Sequence, residues 1–494
     1  MTESQVDLLI VGGGINGVGI ARDAAGRGLS VLLVEKDDLA AHTSSASTKL
    51  IHGGLRYLEQ LDFKLVRESL AERERLLRAA PHIVRPLQFV VPLKGSSRPA
   101  WMLRAGLYLY DHLARRTMLP GGRAVRLEDV GLRPGMDRAL SYWDCRVQDS
   151  RLVVLNAMDA AERAATIMTR TELLEAHRDA DAWIARLRAS EGERYVRARV
   201  LVNAAGPWAG QLFDRIAGVE PRRRVRLVKG SHIVLPRLYA GDHAFLLQNP
   251  DGRAVFAIPF EERFTLVGTT DVEWTGPPGA PTIAPDETDY LLASIARYFS
   301  APATSGDVVW SYSGVRALCD DGRSDPSKVT RDYALDLDAS GAPLLSVIGG
   351  KITTHRRLAE EAVDRMAPFF PSAGRSWTEE ALLPGGDIGE LDPDAYARRL
   401  CEKHASLPAE LLARYARTYG TRTERLLESV TSIGDLGEHF GGGLYAREVD
   451  YLVSNEWARS AEDILFRRTK LGLHVSRQDA DRLEAALRPA AFPT

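Results

Sequence analysis

Two adjoining segments near the N-terminus carry residues whose types and spacing could do chemistry, one by cradling a phosphate chain and the other by surrounding a flat ring. The first is Gly12-Gly13-Gly14-Ile15-Asn16-Gly17, a G-x-G-x-x-G turn. In such a turn Gly12 permits the tight reversal, Gly14 lets a pyrophosphate approach backbone N–H groups, and Gly17 lets helix and strand pack closely. Glu35, 18 residues beyond Gly17, is placed to accept hydrogen bonds from ribose hydroxyls, and a carboxylate there disfavours a 2′-phosphate. The second segment, Thr43 to Tyr57, is small, hydroxylated and glycine-rich, with Lys49, His52 and Arg56 as donors. NAD and FAD share the first device. The second suits a flavin: small residues such as Thr43, Ser44, Ser45, Gly53 and Gly54 permit backbone contact with the ring, and nearby cations stabilise its reduced, anionic form.

The elements that must position these groups are legible around them. Asp7 to Val11 reads as a buried strand running into the glycine turn, followed by an Ala/Gly-rich helical segment through Arg27 and a second strand from Leu29 to Val34. This alternation predicts a parallel sheet with crossover helices. Trp101 to Arg116 reads as an amphipathic helix, better explained as core-facing than as membrane-facing. Asp149-Ser150 is expected to cap a helix from Arg151 to Ala165, after which a hairpin around Gly192 leads to the strand Arg199 to Val202. Beyond Gly386 the pattern is helical: Tyr396 to Lys403, Pro408 to Tyr419 with Pro408 as first residue, Ala446 to Trp457 and Ala461 to Lys470. Ser460 with Asp463, and Ser476 with Asp479, signal helix starts.

The segment Thr43 to Glu59 resembles the flavin-binding segment of the FAD-dependent respiratory glycerol-3-phosphate dehydrogenases, within the D-amino-acid-oxidase-like superfamily. Matching blocks recur at Leu201 to Trp208, Lys229 to Ile233, Val267 to Asp271, Tyr312 to Arg316, Thr330 to Tyr333, Gly349 to Thr354, Leu383 to Gly386 and Phe466 to Gly472. The resemblance implies an α/β fold. A Rossmann-like FAD-binding domain, residues 1–375 and discontinuous, carries an α+β substrate domain inserted at about 80–145 and 225–310, and residues 376–494 form a C-terminal α-helical domain.

The chemistry the resemblance implies is oxidation of sn-glycerol 3-phosphate to dihydroxyacetone phosphate, with hydride passing from C2 to flavin N5. Arg56, Arg316 and Arg331 match positions near substrate and form the expected phosphate clamp, since guanidinium forks bind phosphate oxygens bidentately. Tyr57 and Thr270 are expected to add neutral hydrogen bonds. His232 is the expected general base, because an imidazole titrates near neutral pH; Arg56 and Arg316 complete the catalytic set. Cofactor contacts are expected from Gly12, Gly14, Asn16, Gly17, Glu35, Thr43, Ser44, Ser45, Lys49, Leu50, His52, Gly53, Gly54, Ala205, Gly206, Gly350, Lys351, Ile352 and Thr353, with Lys351 beside the flavin's pyrimidine edge. His42 falls where some relatives attach flavin covalently, but its flanks differ from theirs, so it is read as structural and the FAD as non-covalent.

Bulk properties set limits. With 494 residues, 45% of them hydrophobic, the chain can bury large cores and is expected to form two or three domains. A net charge of −2 argues against nucleic acid as a partner. Cys145, Cys319 and Cys401 lie far apart without a C-x-x-C, which fits a reducing compartment and no structural metal. The first strand begins too early for a signal peptide and no run of about 18 apolar residues occurs. The expected location is therefore cytoplasmic, peripheral to the inner face of the cell membrane. With one dinucleotide loop and no cysteine cluster, the expected electron acceptor is a membrane quinone, approached over an anionic lipid surface through Trp101 to Arg116 or the run Arg222, Arg223, Arg224 and Arg226. A homodimer is expected. A soluble oxidase of the same fold using oxygen and a non-catalytic flavin sensor are the competing readings; the arginine set, which has no purpose without an anionic ligand, weighs against the sensor, and its number weighs against an amino-acid oxidase.

Overall fold

The computed structural model describes residues 4–59, 61–96, 98–128, 131–279, 281–301, 303–320, 332–389 and 392–488, except for the side chains of Arg56 and Glu59. Two sheets and a helical domain make up the fold. In the first sheet, Ser4–Val11 lies between Val31–Val34 and Gly192–Asn203, and all three run parallel. Its residues alternate between two cores: Leu8 and Ile10 pack beneath the helices Ile15–Gly26, Asp149–Glu162 and His355–Met366, whereas Leu9 and Val11 pack on the opposite face with Trp183 and Leu187. A strand buried on both faces needs a continuous apolar run, which Leu8 to Val11 supplies. The expected hairpin is present as Ala182–Ala189 paired antiparallel with Gly192–Asn203.

Among the described residues the second sheet has ten strands, antiparallel apart from the pairing of Val84–Pro92 with Ala244–Gln248. It draws on Leu50–Ile51 and extends to Trp310–Cys319, so it reaches beyond the 80–145 and 225–310 pieces read from the sequence. The long strands Val225–Pro236 and Trp310–Cys319 pair along ten residues and bring Lys229, Gly230 and Ser231 opposite Val315, Gly314 and Ser313.

Several helix boundaries differ from those expected. The helix Ala100–His112 ends before Arg116, whose guanidinium turns back to Asp111 at 2.6 Å. Leu103, Leu107 and Tyr110 face the core as expected, yet the other side exposes Trp101 (71%) and Tyr108 (68%). Asp149 does not cap the next helix but lies inside it, because its carboxylate is taken by Ser47 and Lys49. Pro408 stands just outside its helix as the capping residue of Ala409–Tyr419. Residues expected to form the helix Ala461 to Lys470 instead make a wide π-type turn, Asp463–Arg468, in which Thr469 N reaches Ile464 O at 3.0 Å.

Around Leu412, Tyr415, Tyr419, Leu452 and Leu483 the C-terminal helices Pro393–Lys403, Ala409–Tyr419, Ala446–Glu456 and Arg477–Leu487 enclose their own core. Two of their starts follow side-chain chemistry: Asp392 accepts from Ala395 N at 2.7 Å and Ser476 from Asp479 N at 3.1 Å. The domain is joined to the helix Asp149–Glu162, which packs on the first sheet, by a buried ion pair between Arg151 and Glu456.

Candidate active site

A single cavity of about 700 Å³ runs from the glycine turn to Arg316, walled by both sheets. At one end stands the phosphate-type cradle. Gly12 has φ +119°, and a Cβ there would come within 2.8 Å of Ala204 C, so the reversal tolerates only glycine. A Cβ on Gly17 would collide with Gly12 O; Gly17 serves the close packing of helix on strand and does not line the cavity. The helix opens at Gly14 with no side-chain cap and no acidic residue in its first turn, leaving the positive end of its dipole to a ligand. Asn16 donates from Nδ2 to Gly349 O at 3.1 Å, while its buried Oδ1 has no partner among the described residues. Glu35 Oε2 accepts from Gly13 N at 2.7 Å and Oε1 from Asp37 N at 2.9 Å; burial, outweighing those two amides, pushes its carboxyl above the usual range. Open helix end, orphaned amide oxygen and edge carboxylate together fit the pyrophosphate and ribose of a dinucleotide.

Three residues that sequence reasoning did not assign complete this end. Lys36 Nζ and the His42 ring each lie 4.5 Å from Trp208, and His42 Nε2 is 2.7 Å from Asp37 Oδ2. His42 thus lines the cavity while engaged by its neighbours. Trp208 stands in the Leu201 to Trp208 block, directly after Ala205 and Gly206, which also line the wall; an aromatic following such a turn was the available signal.

The middle of the cavity is built by the Thr43 to Tyr57 segment, but only part of it faces inward. Thr43, Ser44, Leu50, His52, Gly54 and Tyr57 line the space, as do Ser47 and Thr48. Thr43 is anchored by donating to Val315 O at 2.6 Å, and Ser44 Oγ accepts from Ile15 N at 3.0 Å. Ser45, Lys49 and Gly53 do not line it, contrary to expectation. Ser45 Oγ turns to His42 O at 3.1 Å. Lys49 is buried behind the wall, its Nζ bonded to Asp149 at 2.9 and 3.0 Å and to Ser45 O at 2.8 Å; a buried ammonium requires such a carboxylate. Gly53 makes room for Leu70, 2.6 Å from where its Cβ would stand, and its N–H is taken by Tyr110 at 2.8 Å.

At the far end are Arg316, Asp271, Thr269, Tyr57 and Lys351, with Arg253 and Phe256, which the sequence reading also missed. Arg316 Nη1 is 2.5 Å from Asp271 Oδ1 and Nη2 donates to Thr269 Oγ1 at 3.2 Å. Lys351 Nζ lies 3.7 Å from the centre of the Tyr57 ring. Gly350, Ile352 and Thr353 continue the wall, and Thr353 Oγ1 accepts from His52 N at 3.3 Å. Arg331 and the Arg56 side chain lie outside the described residues; of the three arginines of the expected clamp, Arg316 is the one whose side chain is described.

Two expected site residues face elsewhere. Thr270 is buried with its hydroxyl donating to Glu287 at 2.6 Å and accepting from Ser231 N at 3.0 Å; its neighbours Thr269 and Asp271 occupy the wall, as alternation along an extended chain requires. His232 is wholly buried, stacked on Tyr312 at 4.8 Å and paired through Nε2 with Thr48 Oγ1 at 3.0 Å. Burial, with Arg316 and Lys49 adding to it, holds its ring well below the ordinary imidazole value. It braces Thr48 from behind; the imidazoles on the cavity wall are those of His52 and, at the dinucleotide end, His42.

Comparison with known proteins accords with this geometry. The family model described as FAD dependent oxidoreductase matches residues 7–356, and the C-terminal domain of alpha-glycerophosphate oxidase matches residues 376–491. The chain is 53% identical over 481 residues to a glycerol-3-phosphate dehydrogenase of Pseudomonas aeruginosa, covering 97% of this chain and 94% of that one. It is 49% identical over 482 residues to the aerobic glycerol-3-phosphate dehydrogenase of Escherichia coli (97% and 96% covered) and 50% identical over 479 residues to a D-erythritol 1-phosphate dehydrogenase of Brucella abortus (95% of each). The crystal structure of the Bacillus halodurans glycerol-3-phosphate dehydrogenase complexed with FAD superposes with a TM-score of 0.74 at 28% identity, over 95% of this chain and 87% of that one. The protein is a flavoenzyme that uses FAD, and the chain belongs to the FAD-dependent oxidoreductase family that includes the glycerol-3-phosphate dehydrogenases.

Proposed function

We infer that the enzyme oxidises sn-glycerol 3-phosphate to dihydroxyacetone phosphate and hands the electrons to a membrane quinone. The observation that carries the first half is Arg316, a guanidinium fixed by Asp271 and Thr269 on the wall of the same cavity that begins at the dinucleotide cradle. A fixed fork meets two phosphate oxygens at once, and Arg253 and Lys351 add positive charge along that wall. FAD, when bound, takes two electrons from the substrate as hydride. His52 receives the C2 hydroxyl proton at a ring nitrogen, Arg316 holds the phosphate, and Phe256 and Leu50 exclude water from that end. Arg331 and Arg56 join the clamp, and Tyr57 adds a hydroxyl.

The quinone half rests on the surface. No helix among the described residues is long and apolar enough to cross a membrane. The helix Ala100–His112 nonetheless exposes Trp101, Met102, Tyr108 and Leu109 together with Arg104, and Leu61 is also exposed. Such a face suits the headgroup region of an anionic bilayer. The alternative basic run is weaker, because Arg222, Arg223 and Arg226 are paired with Asp338, Asp336 and Glu273.

The test is anaerobic reduction of the bound flavin by glycerol 3-phosphate, D-erythritol 1-phosphate and uncharged glycerol, followed by addition of oxygen or a short-chain quinone with and without anionic vesicles. Fast bleaching by glycerol 3-phosphate and fast reoxidation by quinone are expected. Preference for the erythritol ester reassigns the substrate. Stoichiometric peroxide without quinone reaction makes the enzyme an oxidase, a reading that the match to an alpha-glycerophosphate oxidase domain keeps in view.

A further inference from the structure

Behind Arg316, on the opposite face of the sheet, sits a buried carboxylate that no part of the chemistry above employs. Glu287 belongs to the first turn of the helix Pro285–Ala296. Its Oε1 accepts from Thr270 Oγ1 at 2.6 Å and from Ser231 Oγ at 2.9 Å, and its Oε2 from Lys229 Nζ at 2.7 Å and from Ala284 N at 2.9 Å. These partners are not scattered. Lys229 and Ser231 flank Gly230, and a Cβ at Gly230 would stand 2.8 Å from Arg316 Cζ and 2.7 Å from Thr269 Oγ1, so the guanidinium lies directly over that glycine. Thr270 is flanked by Thr269 and Asp271, both of which hold the guanidinium.

Successive residues of an extended chain point to opposite faces. Gripping positions 229, 231 and 270 from behind therefore fixes 230, 269 and 271 in front. Resting on the reading of Arg316 as phosphate clamp, we propose that Glu287 is a positioning residue that locks the two strand segments on which the Arg316 guanidinium rests and so sets its aim into the cavity. A carboxylate is suited to this because it accepts four hydrogen bonds at once, one from each segment to be tied, one from the ammonium that neutralises it and one from its own helix. Glutamine offers one acceptor oxygen and repels Lys229 with its amide.

The experiment measures the Kd for glycerol 3-phosphate by perturbation of the flavin spectrum in holoenzyme, for Glu287→Gln, Arg316→Ala and the double variant, with flavin content and Tm recorded. Glu287→Gln is expected to weaken binding roughly tenfold, the scale of one misdirected charge-assisted hydrogen bond, and to add no further loss in the Arg316→Ala background. Because Glu287→Gln removes the carboxylate that neutralises Lys229 and can lower stability, Glu287→Gln/Lys229→Met is measured as well: it is expected to recover Tm without recovering Kd. Recovery of both, or additive losses with Arg316→Ala, overturns the assignment while leaving the clamp intact. An unchanged Kd in Arg316→Ala removes the clamp itself and the proposal with it.

Discussion

Arg468, buried in the C-terminal domain, donates at 2.8 Å from both terminal nitrogens to Asp38, three residues beyond the Glu35 that closes the dinucleotide cradle. Arg467 reaches the same carboxylate at 2.7 Å. The helical domain thus grips the wall segment that carries Glu35, Lys36 and His42, so cofactor retention is expected to depend on its docking.

Arg468→Met is expected to destabilise the protein by about 3–5 kcal/mol, the scale for removing one partner of a buried pair, and to lower flavin content in step. Asp38→Asn in the same background should add less than its cost alone, because both changes break one contact. Denaturant melts with flavin fluorescence check this; normal flavin retention in Arg468→Met breaks the link between the domains.

The two imidazoles separate in kinetics. His52→Ala is expected to reduce kcat by about 10²- to 10⁴-fold, the usual worth of a proton acceptor in the transition state. His232→Asn keeps a partner for Thr48 and should lower kcat far less. A large loss of kcat in His232→Asn with a near-normal kcat in His52→Ala reverses the roles.

Arg316→Ala is expected to raise KM about ten- to a hundredfold with normal flavin content, and Arg316→Lys to recover only part of it, since a point charge cannot reproduce the fork. Steady-state kinetics against glycerol 3-phosphate decide this; equal KM values in all three proteins remove phosphate as the ligand of Arg316.

Acid precipitation should release all the FAD into the supernatant. His42, the one residue at a position associated with covalent attachment, has its Nε2 at 2.7 Å from Asp37 and its ring against Trp208. Yellow colour in the pellet contradicts this.

Asp23, fully buried in the helix Ile15–Gly26, has its carboxyl pushed up from 3.8 to about 6 by burial, only partly offset by Arg27. Between those values the folded protein binds the proton more tightly than the unfolded chain, so this group's contribution to stability falls as pH rises from 4 to 6. Asp23→Asn should therefore gain stability relative to the parent across that interval, read by urea melts at pH 4, 5 and 6. A constant difference over the interval rejects the shift.

What the sequence determined by itself was whatever is encoded in consecutive residues. The glycine spacing from Gly12 to Gly17, the apolar run Leu8 to Val11 and the start signals at Ser460 and Ser476 are local, because a tight turn, a doubly buried strand and a helix cap each depend on residues within a few positions. Lys351, Tyr57 and Arg316, each in a block with its own pattern, lie on the cavity wall. Which way a side chain points was not local. His232, Thr270 and Lys49 look like site residues in one dimension, yet their orientation is fixed by partners 184, 17 and 100 residues away, Thr48, Glu287 and Asp149. Strand alternation gives every residue two possible faces, and only the packing of the second sheet against the Thr43 to Tyr57 segment decides which face becomes the cavity and which becomes the core. For the same reason Arg253 and Phe256 joined the wall unannounced, and Asp271 and Trp208, although they lie in matching blocks, carry no local sign of which way they face; it is the closing of distant strands around one cavity that brings all four onto its wall.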